Sequence, residues 1–299
     1  MAPVDLSLEQ RLRPPGVWHF TDALSVEQAG ELAARIEALG YSALWLPDTV
    51  GRDPFAHIAH LARDTSSLVF ATGIASIFHR HPGVMQQAAN TLAEQTGGRF
   101  VLGLGVSHAP MVAGLRQLDY SKPLTQMRAY LAAMDAAPYS AVPPADPPTR
   151  VLAALGPRML ELARDAADGA HPYWTTPEHT ARAREILGPD KLLCVEQKVV
   201  FSTAATTARD TAKQGIAVYA GLPNYRNNWI RLGYAEDEIE QLSDRFVDAL
   251  VAWGDGEAIS RRVQAHYDAG ATHVCIQPLP PAGTGPIDWA CLEALAPLG

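Results

Sequence analysis

Short apolar runs recur along the chain, each followed by a longer amphipathic stretch. The runs have no polar face, which marks strands buried on both sides. The stretches between them carry the 3.6-residue period of helices packed along one side. The predicted strands are Val17–Thr21, Ser42–Asp48, Ser67–Ile74, a fourth opening at Phe100, Arg150–Leu155, Gly169–Trp174, a seventh within Lys191–Ser202, and Thr272–Gln277. Helices are expected from the N-cap Ser25 to Leu39, and over 55–63, 83–94, 124–136, 158–166, 177–187 and 257–269. One large helical block covers roughly Thr206 to Gly254, broken at Gly221-Leu222-Pro223-Asn224. Ala109–Pro123 reads as an unusually long loop, and the proline-rich 137–149 stretch as a surface excursion.

Eight strands alternate with helices, and no Gly-x-Gly-x-x-Gly follows the first strand. The pattern predicts an α/β fold, a (β/α)8 TIM barrel formed as one domain over 1–299, rather than a doubly wound open sheet. The barrel would carry an extended loop after strand four and a helical insertion late in the chain.

Composition narrows the function. The formal net charge of -8, without a basic run, excludes a nucleic-acid surface. Cys194, Cys275 and Cys291 are scattered and lack metal-ligand spacing, as expected of a reduced interior. No apolar run reaches membrane-span length and the first residues hold no signal core, so a soluble cytoplasmic protein with no membrane partner is expected.

Parallel barrels bind ligands at the C-terminal ends of their strands. Here those ends carry Asp48, Thr72-Gly73-Ile74, Val106-Ser107-His108, Ala154-Leu155-Gly156-Pro157 and His171. Gly103 and Gly105 are expected to clear space where the fourth strand meets a ligand. His108 is a candidate for proton transfer, since imidazole titrates near neutrality. Asp48 reads as a cap, a buried hydrogen-bond partner or a functional acid, and His171 and Trp45 as core residues. His79 and His81 resemble a metal pair but have no carboxylate nearby in sequence, so a solvated loop is expected and no metal site is assigned. Gly156-Pro157-Arg158 carries a strand into a helix N-terminus, which attracts phosphate. Arg158 can add charge there and Ser107 a hydroxyl.

The segments LGYSALWLPD (39–48), TGI (72–74), GGRFVLGLGVSH (97–108), LGPRMLELA (155–163) and ADGAHPYWTTPEH (167–179), in this order and spacing, resemble the luciferase-like flavin and deazaflavin oxidoreductases. The likeness is greatest to the actinobacterial branch that uses coenzyme F420. The resemblance implies a ring standing in the barrel mouth, backed by a strand-three bulge with a non-proline cis peptide at Gly73-Ile74. It implies that Val106 and Ser107 line the ring or the phosphate path. Ala154, Gly156, Pro157 and Arg158 would hold the phosphate and tail, with Arg80 and Lys122 as further cations for an acidic tail. Asp48 falls where the second strand meets the ring, and is paired with His108 as a catalytic candidate. His108 replaces a glutamate of the sugar-phosphate dehydrogenase branch, and Thr49 replaces its histidine, which argues against a sugar-phosphate substrate.

The function this implies is an F420-dependent oxidoreductase that moves a hydride between the deazaflavin C5 and a small organic molecule, while His108 manages the proton. The Ala109–Pro123 loop would fold over the substrate, and a homodimer would form through barrel helices. The alternatives are an FMN-dependent monooxygenase or reductase, a non-catalytic flavin-binding barrel, and a metal-dependent hydrolase. The last is disfavoured by the absence of a His-x-His after strand one.

Overall fold

The computed structural model describes residues 7–297. Its strands are β1 (Gly16–Trp18), β2 (Ala43–Leu46), β3 (Val69–Thr72), β4 (Ala75–Ser76), β5 (Phe100–Gly105), β6 (Thr149–Leu152), β7 (Gly169–Ala170), β8 (Leu192–Phe201), β9 (Val251–Gly254) and β10 (His273–Pro278). All pair in parallel in the order β10-β1-β2-β3-β5-β6-β7-β8, and β8 pairs back onto β10 to close an eight-stranded barrel. β4 resumes the third predicted strand beyond Gly73-Ile74 and pairs with β5.

Alternation along the strands divides the apolar residues between two cores. Trp18, Ala43, Trp45, Val69, Ala71, Val101 and Val151 fill the barrel interior. Leu44, Leu46, Phe70, Phe100, Leu102 and Leu104 point outward beneath the helices. The helix Val26–Ala38 shows how the outer layer is specified. Ser25 and Gln28 form a capping box, and Ala29, Leu32, Ala33 and Ile36 make its buried stripe. Gly40 then takes a φ of +83°, which lets the chain turn into β2.

A third core lies in the late insertion. The helices Ala205–Ala220, Pro223–Arg231 and Asp244–Leu250 pack Ile216, Tyr225, Trp229 and Phe246 against Trp174, which follows β7. Trp229 Nε1 donates to the Trp174 carbonyl at 3.0 Å. This cap therefore sits at the C-terminal side of the barrel.

Three expectations are corrected. The helical block does not run to Gly254. It ends at Leu250, and the next four residues form β9, which pairs with the distal half of β8. No glycine or proline separates helix from strand, and Leu-Val-Ala-Trp reads equally well as either. Ala109–Pro123 is not plain loop, because Pro110–Leu115 forms a short π-type helical turn. Gly103 and Gly105 do not open ligand space. A side chain at Gly103 would overlap the Thr72 carbonyl oxygen, and one at Gly105 would begin 2.5 Å from Ile74 Cδ1. Both glycines instead admit the neighbouring third strand.

Candidate active site

At Gly73-Ile74 the peptide bond is cis. The Trp18 indole donates to the Gly73 carbonyl at 3.1 Å, and Gly73 N–H donates to Leu46 at 2.8 Å. These contacts fix the bulge at the rim of the barrel.

Asp48 ties the end of β2 to this bulge. Its N–H donates to the Ile74 carbonyl at 3.3 Å. Its carboxylate accepts from Ser76 N–H at 3.2 Å, from Arg80 at 2.6 Å and from His79 Nδ1 at 3.0 Å. Burial works to raise the Asp48 pKa, but hydrogen bonding from His79 and the Arg80 charge outweigh it and hold the carboxyl below its usual range. The group is therefore an ionised anchor with its oxygens occupied. His79 is accordingly a buried partner of Asp48 and not a solvated loop residue, while His81 caps the helix Pro82–Gln95 by accepting from Gly83 N–H. Arg80 spends its charge on Asp48 and Asp53 over the Phe55 ring, so it is not free for a ligand. No cluster of three or more His, Cys, Asp or Glu residues suited to a metal occurs among the described residues.

Beyond β5, Ser107 adopts a φ of +55°. Its carbonyl accepts from Tyr120 at 2.9 Å, while Arg116 donates to the Thr49 carbonyl at 3.1 Å. These bonds fold the 109–122 segment back along the rim. His108 follows, its ring 5.4 Å from that of Tyr225 and hydrogen-bonded by the Asn224 side chain. Its Nδ1 is buried without a partner. Burial lowers the His108 pKa, and Asn224 opposes that only in part, so the imidazole is neutral at pH 7.

Across the rim, Gly156 is the N-cap of the ten-residue helix Pro157–Ala166, and no side chain caps it. Ala154 is buried and Arg158 exposed. His179 donates through Nε2 to the Leu155 carbonyl at 2.9 Å, fixing the turn just before Gly156. His171 is a core residue as expected: it stacks on Trp45 at 4.2 Å, donates through Nδ1 to Cys194 at 2.8 Å, and is held neutral by burial with a pKa near 3.

Sequence reasoning missed the polar centre inside the barrel. Lys198 Nζ lies 2.9 Å from Glu196 Oε1 and 2.7 Å from Gln277 Oε1. It also sits 3.6 Å from the Tyr173 ring centroid and 4.3 Å from that of Trp174. Tyr173 donates to the same Gln277 oxygen at 3.0 Å. Burial pushes the Lys198 pKa down to about 8 and raises that of Glu196, while each charge pulls the other back. The signal was present: two charges at i and i+2 in an apolar strand, Glu196 and Lys198, must share one face. Asn224 and Tyr225 were also missed, since only folding brings the late insertion to His108.

Comparison with known proteins follows this geometry. Residues 12–273 match the luciferase-like monooxygenase family. Rv3520c of Mycobacterium tuberculosis, whose name assigns it provisionally as a coenzyme F420-dependent oxidoreductase, is 24% identical over 309 residues, covering 82% of this chain and 89% of its own. A solved F420-dependent secondary alcohol dehydrogenase, in complex with an F420-acetone adduct, superposes with a TM-score of 0.76 at 14% identity, covering 95% of this chain and 98% of its own. A type II Baeyer-Villiger monooxygenase component from Pseudomonas putida, in complex with FMN, gives a TM-score of 0.70 at 15% identity, covering 95% of this chain and 96% of its own. At these identities the solved structures establish the barrel fold.

Proposed function

The chain belongs to the luciferase-like monooxygenase family, and from that premise we propose that it is an F420-dependent oxidoreductase acting on a small organic substrate. The observation that carries this reading is the pairing, on one rim, of a neutral His108 whose Nδ1 has no partner with an uncapped helix N-terminus at Gly156. The residues fit a phosphate-bearing ring cofactor. The Gly156 turn leaves helix N–H groups open to an anion, and in this reading Gly73-Ile74, Val106 and Ser107 would line the ring. When bound, the deazaflavin supplies hydride transfer at C5.

The chain's own residues do the rest. His108, neutral in the resting site, accepts the proton released when a substrate alcohol is oxidised, and returns it in the reverse direction. Asn224 orients that ring. Asp48 acts as a positioning residue: with its carboxylate engaged by Arg80, His79 and Ser76, it holds the bulge in place. The 109–122 segment narrows the mouth through Tyr120 and Arg116.

An FMN enzyme is the second reading, supported by the likeness to the FMN-bound Baeyer-Villiger component. A fluorescence titration of the purified protein with F420 and with FMN separates the two. Micromolar binding of F420 with much weaker FMN supports the proposal. The reverse preference transfers it to FMN, and binding of neither overturns it. Light scattering on the same sample tests the homodimer.

A further inference from the structure

The open helix N-terminus at Gly156 has a neighbour from outside its own strand and helix. Arg231 ends the cap helix Pro223–Arg231, and its Nη2 lies 3.4 Å from the point where a side chain on Gly156 would begin. The guanidinium is exposed and makes no ion pair among the described residues. Among the described residues its one side-chain hydrogen bond is to Asn228 Oδ1, at 3.4 Å. Burial lowers its pKa, and no carboxylate offsets that. Arg182 donates to the Arg231 carbonyl at 2.8 Å, which adds a second cation and pins the helix end.

Asn228 supplies the independent observation. It lies one turn before Arg231, is only 2% exposed, and its Nδ2 has no hydrogen-bond partner. A buried amide donor without an acceptor is costly. Its amide oxygen accepts from Arg231, so the side chain that carries the unused donor is tied to the same guanidinium. Helix N–H groups, a free guanidinium and an orphaned amide are all donors, and together they suit an anion with several acceptor oxygens.

We propose that Arg231, backed by Asn228, closes the Gly156 phosphate site from the helical cap, so that the late insertion grips the cofactor's phosphate. The inference rests on the phosphate-bearing cofactor of the preceding section. It replaces Arg158, which is exposed at the second position of the helix, as the main cation of the site.

The test compares ligands that differ in the phosphate-bearing part: F420 with its phosphate-free deazaflavin fragment, and FMN with riboflavin. Arg231→Met should weaken F420 or FMN about tenfold to a hundredfold, the effect of one charge-assisted hydrogen bond, and leave the phosphate-free partner unchanged. The variant should also lose salt dependence of binding. Equal weakening of both partners would assign Arg231 a structural role and overturn the proposal, as would no weakening of either. Pyrophosphate alone provides a ring-free readout. It should raise the Tm of the wild-type protein and not that of Arg231→Met. If neither coenzyme binds but this difference persists, the cofactor reading fails and the anion site stands. If pyrophosphate also has no differential effect, both fall.

Discussion

Replacing Lys198 by Met tests the polar centre of the barrel. Glu196 and Lys198 are 0% and 1% exposed, with an oxygen-to-nitrogen distance of 2.9 Å. Their attraction is therefore little screened, and removing one partner strands the other. Breaking a buried pair in this way costs about 3–5 kcal/mol. At roughly 2 °C per kcal/mol for a chain of this size, Lys198→Met should lower Tm by about 6–10 °C. The loss should depend on pH. Without Lys198 the buried Glu196 is favoured in its protonated form, with a folded pKa above the unfolded value. The folded variant then holds more protons than the unfolded chain between those two values, so its stability falls as pH rises through that window. The variant should be closest to wild type at pH 5 and furthest from it at pH 8. Adding Glu196→Gln removes the stranded charge and should recover at least half of the loss, so the two substitutions should be strongly non-additive. Thermal and urea unfolding at both pH values measure all four proteins. A Lys198→Met Tm within about 1 °C of wild type, or a double variant as unstable as the sum of the singles, would refute the reasoning.

Other residues give separate tests. His108→Ala should leave coenzyme affinity largely unchanged and cut turnover by about 100- to 10,000-fold, and unchanged turnover would make His108 a wall residue. Because burial lowers the His108 pKa and Asn224 raises it, the acidic limb of the rate profile should lie below the ordinary imidazole value and move lower still in Asn224→Ala; a move upward contradicts the assignment. Asp48→Asn should reduce Tm and loosen the bulge, with a stability gap to wild type that closes as acid protonates Asp48, since its folded pKa is the depressed one. Gly103→Ala should abolish soluble folded protein, because the added carbon meets backbone, whereas Gly30→Ala in open helix should stabilise by about 0.5–1 kcal/mol; unfolding curves of the two decide it.

What the sequence made legible follows from how local each signal is. The eight barrel strands announce themselves as apolar runs because both faces are buried, and Ser25 and Gly40 mark the ends of their helix by local backbone chemistry. β9 left no such mark, since its residues continue a helical apolar pattern without a breaker. The rim residues were found because strand ends can be counted along the chain. Their partners could not be counted: Asp48 meets Arg80 thirty-two positions later, and His108 meets Asn224 only through the folded cap. Gly103 and Gly105 were read as space for a ligand, when the third strand fills that space.

The late insertion links these observations. One nine-residue helix, Pro223–Arg231, begins beside His108 and ends beside Gly156. Between those ends, Tyr225 and Trp229 anchor it on Trp174, so neither end can shift without disturbing the same aromatic core. A ligand that orders Arg231 therefore also restrains Asn224, and through it the imidazole that moves the proton. This predicts that Trp229→Ala, which removes the anchor and leaves the Asn224 and Arg231 side chains in the sequence, should weaken phosphate-bearing ligands and lower turnover together. The measurement is Kd and kcat on the same preparation, with circular dichroism to confirm that the barrel persists. If turnover falls while Kd for both F420 and its phosphate-free fragment is unchanged, the two ends of the helix are independent and the coupling is absent.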